Sequence, residues 1–572
     1  MGLTGAGAQF DISAANGDRT IGALAGVAGS SIALGAHTLT LGNGTDTIYA
    51  GTIGGTGGIV KQGSGTTTFS GANSYTGATT INAGTLQAGA TNTLSSASAH
   101  SVASGASLAT GGFDQQVASL SNSGRVDLRN PNGSVGSTLT VTGAYVGNGG
   151  VMQIGTTLGD SSSPTDRLLL SGAGASASGH TVLEVTNAGG LGALTTGNGI
   201  TVVATENAAS IGANAFSLLN GHVDAGAFEY RLFSDAQGAY LRSSTNTPMY
   251  RGETPLLAAL PEQLREANLA MLGQRQLRMG TMFTGERANS GRQAWARLIS
   301  VQRDIRQDGD VSASSHGRLN GVQAGTDVYA GGNTDAQWQA GVYVGQLDGK
   351  MGASGLARGV AGLQVGTNKL RNQYLGLYGN YQTNQGLYAE AVLQAGDHRY
   401  QVASASNAGA DARGKGSSLL ASLEVGQTFE LASGWRLQPQ LQIVHQRLDL
   451  DELALSGATQ VSQAAKSNWT ARAGLRVQNT LFTGMGRLMP YARVDMFKST
   501  NGTDSAGYRT AAALTTINSK TGGMRTELAA GATLSLSANT SLYGELGRLV
   551  AGNGQSRTKS EINASLGVRV RW

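Results

Sequence analysis

The chain has 572 residues, room for two or more domains and a sizeable core. Glycine supplies 87 of them, roughly twice its usual share, while only 13 % are charged, seven are proline and none is cysteine, which excludes collagen, disulfide scaffolds, thiolate metal sites and cysteine nucleophiles. The formal charge of +5 divides unevenly: residues 1–247 hold seven Lys/Arg against twelve Asp/Glu, residues 248–572 hold 33 against 23, and all five tryptophans lie in the second part. So sharp a break near residue 250 marks a domain boundary. The basic residues are scattered singly along strand-like segments, which argues against nucleic acid as a partner. Met1-Gly2-Leu3 runs into Gly/Ala/Thr sequence with neither a basic start nor an apolar core, so export would require a leader upstream of residue 1. No window of about 18 apolar residues predicts a transmembrane helix.

Residues 1–247 are short runs that alternate apolar with small polar side chains and then turn at Gly or Asn-Gly. Examples are Ser31-Ile32-Ala33-Leu34-Gly35 and Thr138-Leu139-Thr140-Val141-Thr142-Gly143. One alternating face per short strand, repeated without helices, suits a parallel β-helix whose coils stack on one continuous core. A β-sandwich is the alternative that the same period allows.

One stretch is more specific. After Lys61 and Gly63 come Ser70-Gly71-Ala72-Asn73-Ser74-Tyr75-Thr76-Gly77 and Asn82-Ala83-Gly84-Thr85-Leu86. Residues 57–86 thereby resemble the passenger-associated transport repeat of autotransporters. The strands around 165–171 and 179–187, with Phe228-Glu229-Tyr230-Arg231-Leu232 and Tyr240-Leu241, are similar to the pertactin-type stem, giving an autochaperone region over about 101–245. In that family the stem folds first outside the cell.

Residues 248–290 read as a linker. Thr254-Pro255 and Pro261-Glu262 are both helix-start signals, and strong helix formers run from Pro261 to Met279, ending at Gly280. Nineteen residues give a rod of roughly 28 Å, about the thickness of a bilayer core. Glu262, Arg265, Glu266, Arg275 and Arg278 forbid lipid contact all round, so the rod suits a water-lined pore; an ordinary surface helix is the alternative. Tyr250-Arg251-Gly252-Glu253 and Leu260-Pro261-Glu262-Gln263-Leu264-Arg265 resemble the linker of AIDA- and pertactin-type autotransporters.

Residues 291–572 contain twelve alternating segments, near 292–304, 317–330, 335–348, 370–383, 386–400, 416–431, 434–448, 467–482, 487–499, 523–537, 540–551 and 561–572. Period-two alternation with charge on one face and lipid-compatible residues on the other, in an even number of strands, is the pattern of an outer-membrane barrel. Short links such as 383–385 alternate with long ones such as 349–369 and 449–466, as periplasmic turns alternate with outer loops. Strand parity turns Asp327, Glu390, Arg472, Arg476, Asp495, Glu527 and Glu545 toward the lumen, and the helix charges are expected to meet Arg472, Arg476 and Glu527. The ending Ser565-Leu566-Gly567-Val568-Arg569-Val570-Arg571-Trp572 resembles the C-terminal signal read by barrel-assembly machinery through strand pairing, carried by Ser565, Gly567, Val570 and Trp572.

Enzymatic motifs are sparse. Gly159-Asp160-Ser161 lacks the flanks and following helix of a nucleophile motif. The seven histidines are too far apart in sequence to pair on a metal, so neither metal nor cofactor is expected. In some autotransporters an asparagine of the pore helix cyclises and cuts the chain with the help of acidic barrel residues; Asn268 is the candidate here, without the Asn-Asn pair of the best-known self-cleaving class.

The resemblance runs from about Gly57 to Trp572 and implies a monomeric autotransporter of type V secretion. The expected fold is all-β: a right-handed parallel β-helix stem (1–247), a pore-spanning α-helix in the linker (248–290) and a 12-stranded antiparallel transmembrane β-barrel (291–572). The implied function is secretion and surface display of the chain's own passenger. A surface adhesin or virulence factor that binds host cells or other bacteria is the alternative, and an enzymatic passenger upstream is a third. Implied partners are outer-membrane lipid, barrel-assembly machinery, periplasmic chaperones and a host or cell-surface ligand.

Overall fold

The computed structural model describes residues 1–281, 291–405, 411–509 and 514–572; the last residues of the predicted linker, 282–290, lie outside them. One compact unit comprises Met1–Met249, and the other comprises Tyr250–Arg509 with Leu514–Trp572.

The first unit is a stack of parallel coils rather than a sandwich. Ile59 pairs with Thr79, Thr79 with His100, His100 with Leu120 and Leu120 with Tyr145, so successive coils consume 20, 21, 20 and 25 residues. Leu41, Ile59, Phe69, Ile81, Leu86 and Leu108 stack inward with no exposure, one apolar side chain per coil face, as the alternation requires. The transport-repeat residues are its fasteners. Lys61 is fully buried, and its Nζ donates to the carbonyls of Gln62, Gly63 and Ala83 at 2.9, 2.9 and 3.1 Å, closing two successive turns. Burial lowers its pKa. Asn73 spans three coils: its Oδ1 accepts from the Ile53 N–H at 2.8 Å and its Nδ2 donates to the Thr93 carbonyl at 2.7 Å. A Cβ on Gly71 would lie 2.1 Å from the Gly51 carbonyl oxygen of the coil below, so the turn admits only glycine. The stack ends in antiparallel pairings of Ile200–Glu206 and Phe228–Ser234 with Gly238–Arg242.

The second unit is a closed barrel of twelve antiparallel strands: β1 (Gln293–Gln307), β2 (Ser314–Gly332), β3 (Ala336–Ala357), β4 (Val360–Thr383), β5 (Leu387–Ser404), β6 (Ala412–Gln427), β7 (Arg436–Leu450), β8 (Asn468–Gln478), β9 (Gly486–Ser499), β10 (Gly523–Ser535), β11 (Thr540–Gly554) and β12 (Asn563–Arg571). Each strand pairs with the next, and β1 also pairs with β12 over nine residues, from Gln293↔Arg571 to Val301↔Asn563, which closes the ring and leaves no edge. Leu375, Leu393, Leu419, Leu441, Leu528 and Leu566 face outward and exposed, as lipid contact demands.

The long links differ from expectation. The segment 349–369 continues the ladder, so β3 and β4 form one hairpin that turns at Arg358-Gly359, because small residues such as Gly352, Ala353, Ser354 and Gly355 keep the alternation beyond the lipid band. The segment 449–466 folds into Leu453–Leu455 and Thr459–Ala464, which join Gly502–Arg509 and Leu514–Thr521 in a four-stranded antiparallel sheet.

Two helices fill the ring, α1 (Glu253–Leu272) and α2 (Arg275–Met279). The helix predicted over 261–279 is thus displaced: it starts at the earlier signal beside Pro255, runs through Pro261 and breaks at Gly273, which has φ +55°. An internal proline removes one helical hydrogen bond. Here the Leu257 carbonyl it orphans accepts instead from Gln463 Nε2 at 3.2 Å. Among the described residues no helix is long and apolar enough to cross a membrane.

Candidate functional site

The lumen is where the titratable residues of the second unit converge. Eighteen of the twenty residues of α1 are buried on every side of the helix, charged ones included, and its polar partners come from around the ring. Glu266 accepts from Arg303 Nε of β1 at 2.8 Å and pairs with Arg525 of β10. Arg265 grips Asp504 through two bonds of 2.6 and 2.7 Å and also reaches Glu262 at 3.1 Å. Asn368 of β4 donates to the Leu256 carbonyl at 2.8 Å. Buried pairs of this kind offset their desolvation only when the geometry and remaining hydrogen bonds are good, and here the guanidinium forks are largely bidentate or shared.

The lower end of the plug is held by arginines. The last carbonyls of α1 lack helical donors; Arg297 of β1 donates to Met271 at 2.8 Å and Arg278 donates to Leu272. Arg278 also pairs with Glu390 of β5. Arg275 donates to Gln382 at 2.7 Å and lies over the Tyr388 ring, 4.9 Å from its centroid. Arg569 of β12 donates to the Met279 carbonyl at 2.7 Å, and Tyr543 of β11 to that of Arg278. Cations at a helix C-terminus also complement its dipole.

The predicted lumen residues fall into two groups. Glu390 touches the plug directly, as does Asp495, which accepts from Gln274 Nε2 at 2.9 Å; Arg476 reaches Thr281 at the end of the helical segment. The others tie wall to wall. Arg472 bridges Glu424 at 3.1 Å and Asp495 at 2.6 Å; Arg493 joins Asp495 to Glu527 at 2.8 Å and Glu545 at 2.6 Å; Asp327 accepts from Tyr378 at 2.7 Å. Hence, among the described residues, Glu262, Arg265, Glu266 and Arg278 pair elsewhere than with Arg472, Arg476 or Glu527. They sit at the heights of Arg303, Arg525, Asp504 and Glu390, and axial height is what strand parity leaves undetermined. Parity would have found Arg297, Arg303, Arg493 and Arg525, which alternate in step with Trp295, Asp495 and Glu527. It could not find Asp504 in a loop sheet. A cavity of about 110 Å³ remains between α1 and the wall, lined by Leu269, Gln274, Arg297, Arg303, Arg472 and Glu527 among others.

Asn268 is buried in α1 among neutral partners. Its Nδ2 faces Gln446 at 3.4 Å, its Oδ1 accepts from Ser418 at 3.3 Å and its backbone carbonyl accepts from Gln394 at 3.2 Å. At the C-terminus, Leu566, Val570 and Trp572 point outward and exposed, whereas Gly567 faces in. A Cβ at Gly567 would lie 2.3 Å from Tyr543 Cζ, so that glycine lets the Tyr543 ring lie flat across β12. The same pairing recurs at Tyr343↔Gly376 and Tyr388↔Gly426.

In the first unit Ser161 donates to the Thr196 carbonyl at 2.6 Å, and Asp160 accepts from the Ser162 N–H at 2.9 Å, which makes Gly159–Ser161 part of a turn. Sequence spacing gave no sign that His222, Asp224 and Glu229 place ligand-type atoms within 4.8 Å of one another; Glu229 is bonded there by Arg231 at 2.7 Å.

Comparison with known proteins agrees with this architecture. Residues 294–547 match the autotransporter beta-domain, 115–232 the autochaperone domain type 1 and 59–88 the passenger-associated-transport-repeat. The uncharacterized protein YuaQ of Escherichia coli K12 is 27 % identical over 81 % of this chain, and the adhesin BmaC autotransporter of Brucella suis is 29 % identical over 59 %. The autotransporter adhesin AIDA-I of E. coli is 27 % identical over 64 % of the chain. The chain spans 35 %, 11 % and 30 % of the lengths of those three relatives. The solved transport unit of AIDA-I is covered in full by 57 % of this chain, at 19 % identity and a TM-score of 0.45. Three models of autotransporter parts thus match this chain in order, over most of its length.

Proposed function

We propose that this chain is an outer-membrane translocator that exports the β-helical chain preceding Tyr250 and displays it at the bacterial surface. The observation that carries this reading is α1 inside a closed twelve-strand ring, held by partners on β1, β4, β5, β7 and β10. A helix in that position is the end state of a chain that has passed through the pore. No ATP is required, because coils that fold outside bias the transport outward. The domain limits proposed are 1–247 for the stem, 248–290 for the linker and 291–572 for the translocator. Ser565, Gly567, Val570 and Trp572 form the strand that barrel-assembly machinery reads, after periplasmic chaperones have carried the unfolded chain.

The test is display on intact cells. External protease should remove residues 1–247 and spare a heat-modifiable fragment of the barrel. Replacement of Trp572 by Ala should lower the assembled fraction. A stem protected until the cells are lysed would overturn the reading. The relatives named adhesins, BmaC and AIDA-I, favour a second role for residues 1–247 in binding other cells. For release of the passenger, Asn268 is the candidate for cyclisation, with Gln394 polarising its carbonyl.

A further inference from the structure

Above the lipid-facing leucines, one side of the barrel carries a block of outward basic residues in cross-strand register. Arg318 of β2 lies opposite Lys350 of β3, Lys350 opposite Lys369 of β4, and Gln401 of β5 separates Lys369 from Arg413 of β6. In the adjacent row Arg371 lies opposite Arg399, and Arg399 opposite Lys415. All seven are exposed. Directly opposed residues have Cβ atoms about 5 Å apart, and like charges there destabilise a sheet. Intramolecular relief is slight. Arg371 faces Asp348 across the register, and Arg371 and Arg399 reach the carboxylates of Asp348 and Asp397 at 3.5 Å, with side-chain exposures of 65 % and 64 %. Among the described residues, Lys350, Lys369, Arg413 and Lys415 form no ion pair.

The height of the block identifies its surroundings. Leu375, Leu393 and Leu419 are 58 %, 46 % and 52 % exposed and mark the lipid band. Arg371 and Lys369 lie four and six residues beyond Leu375 on β4, about 13 and 20 Å along the strand, or roughly 10 and 15 Å along the membrane normal at a tilt of about 40°. Aliphatic stems can lie on lipid while the charged heads reach the headgroup layer. The block crosses five strands, β2 to β6, about 19 Å from first to last.

We propose that this face binds a lipid of the outer leaflet whose headgroup carries more than one phosphate, the chemistry of lipopolysaccharide. Adjacent guanidinium and ammonium groups match clustered phosphates, and such a ligand relieves the repulsion between opposed cations. The placement in the outer leaflet rests on the translocator orientation proposed above.

The test uses the full chain purified in detergent and probed with diphosphorylated deep-rough lipopolysaccharide, its monophosphoryl form and phosphatidylglycerol, with inorganic phosphate as competitor. Native mass spectrometry reads lipid retention, and heat-modifiability on gels reads barrel integrity independently. Combined Lys350→Gln, Lys369→Gln, Arg371→Gln and Arg399→Gln should weaken binding of the diphosphorylated lipid by at least roughly tenfold. Lys498→Gln with Arg548→Gln, exposed on β9 and β11, should leave it unchanged. Without lipid the fourfold variant should melt no lower than its parent, since opposed like charges have been removed. Equal retention by the fourfold variant, equal binding of phosphatidylglycerol, displacement by millimolar inorganic phosphate, or a lower melting temperature without lipid would each overturn the proposal. Loss of surface display with lipid retention intact would fault the orientation alone.

Discussion

Removal of the plug should turn the barrel into a channel, and the size of the effect follows from the ring. Twelve strands about 4.8 Å apart, tilted by about 40°, close a circumference of roughly 75 Å, a backbone radius of about 12 Å. Inward side chains take about 5 Å of that radius and leave a bore of roughly 14 Å, enough for one helix of 10–12 Å diameter with its side chains. A cavity of about 110 Å³ beside α1 is one of the spaces that the helix leaves. A chain that begins at Gly280 therefore loses the occupant of the bore while its twelve strands stay paired. In planar bilayers its conductance should exceed that of the full chain by on the order of tenfold, and cells carrying it should take up large hydrophilic antibiotics. The water path would then be lined by unpaired groups of both signs, Arg303 and Arg525 freed from Glu266 and Asp504 and Glu390 freed from Arg265 and Arg278, so the channel should discriminate little between anions and cations. Equal conductance of the two proteins, both shown by gel shift to be folded, would refute the placement of α1 as a plug.

Three further outcomes follow from individual residues. Glu266→Gln leaves Arg303 and Arg525 facing each other without a buried counter-charge, which should destabilise the full barrel by about 3–5 kcal/mol and lower its heat-modification temperature; an unchanged temperature would show that water already screens the pair. His100 of the stem is 2 % exposed, its Nδ1 bonds the Ser98 carbonyl at 3.0 Å while its Nε2 has no partner among the described residues, and burial pushes its pKa down to about 4 from 6.5. The folded stem thus favours neutral histidine, so its stability is full above pH 6.5 and falls as the pH drops toward 4, with a loss of about 2 kcal/mol at pH 5; urea titrations followed by proteolysis should show this slope, and His100→Leu should flatten it. Asn268→Ala should abolish any released passenger ending at residue 268, read by mass spectrometry of the culture medium; a fragment with the same terminus from the variant would exclude cyclisation.

The sequence by itself determined what depends on short-range period. Alternation along Leu387–Gln394 and Trp469–Gln478 placed Ala391 and Leu393 outside and Glu390 and Gln394 inside, because a one-residue slip would bury every lipid-facing side chain and expose every charge. The same logic made the stem a stack of coils, since each short alternating run can bury only one face. What local period cannot carry is axial position. The registers around the whole ring, closed by β1 against β12, set the height of each wall residue against α1, so Glu266 finds Arg303 and Arg525. Likewise Pro261 looks like a helix start until a loop sheet brings Gln463 to the carbonyl it orphans. Both are contacts between residues far apart in the chain, decided by tertiary packing, ring closure for the first and the loop sheet for the second, rather than by neighbours in sequence.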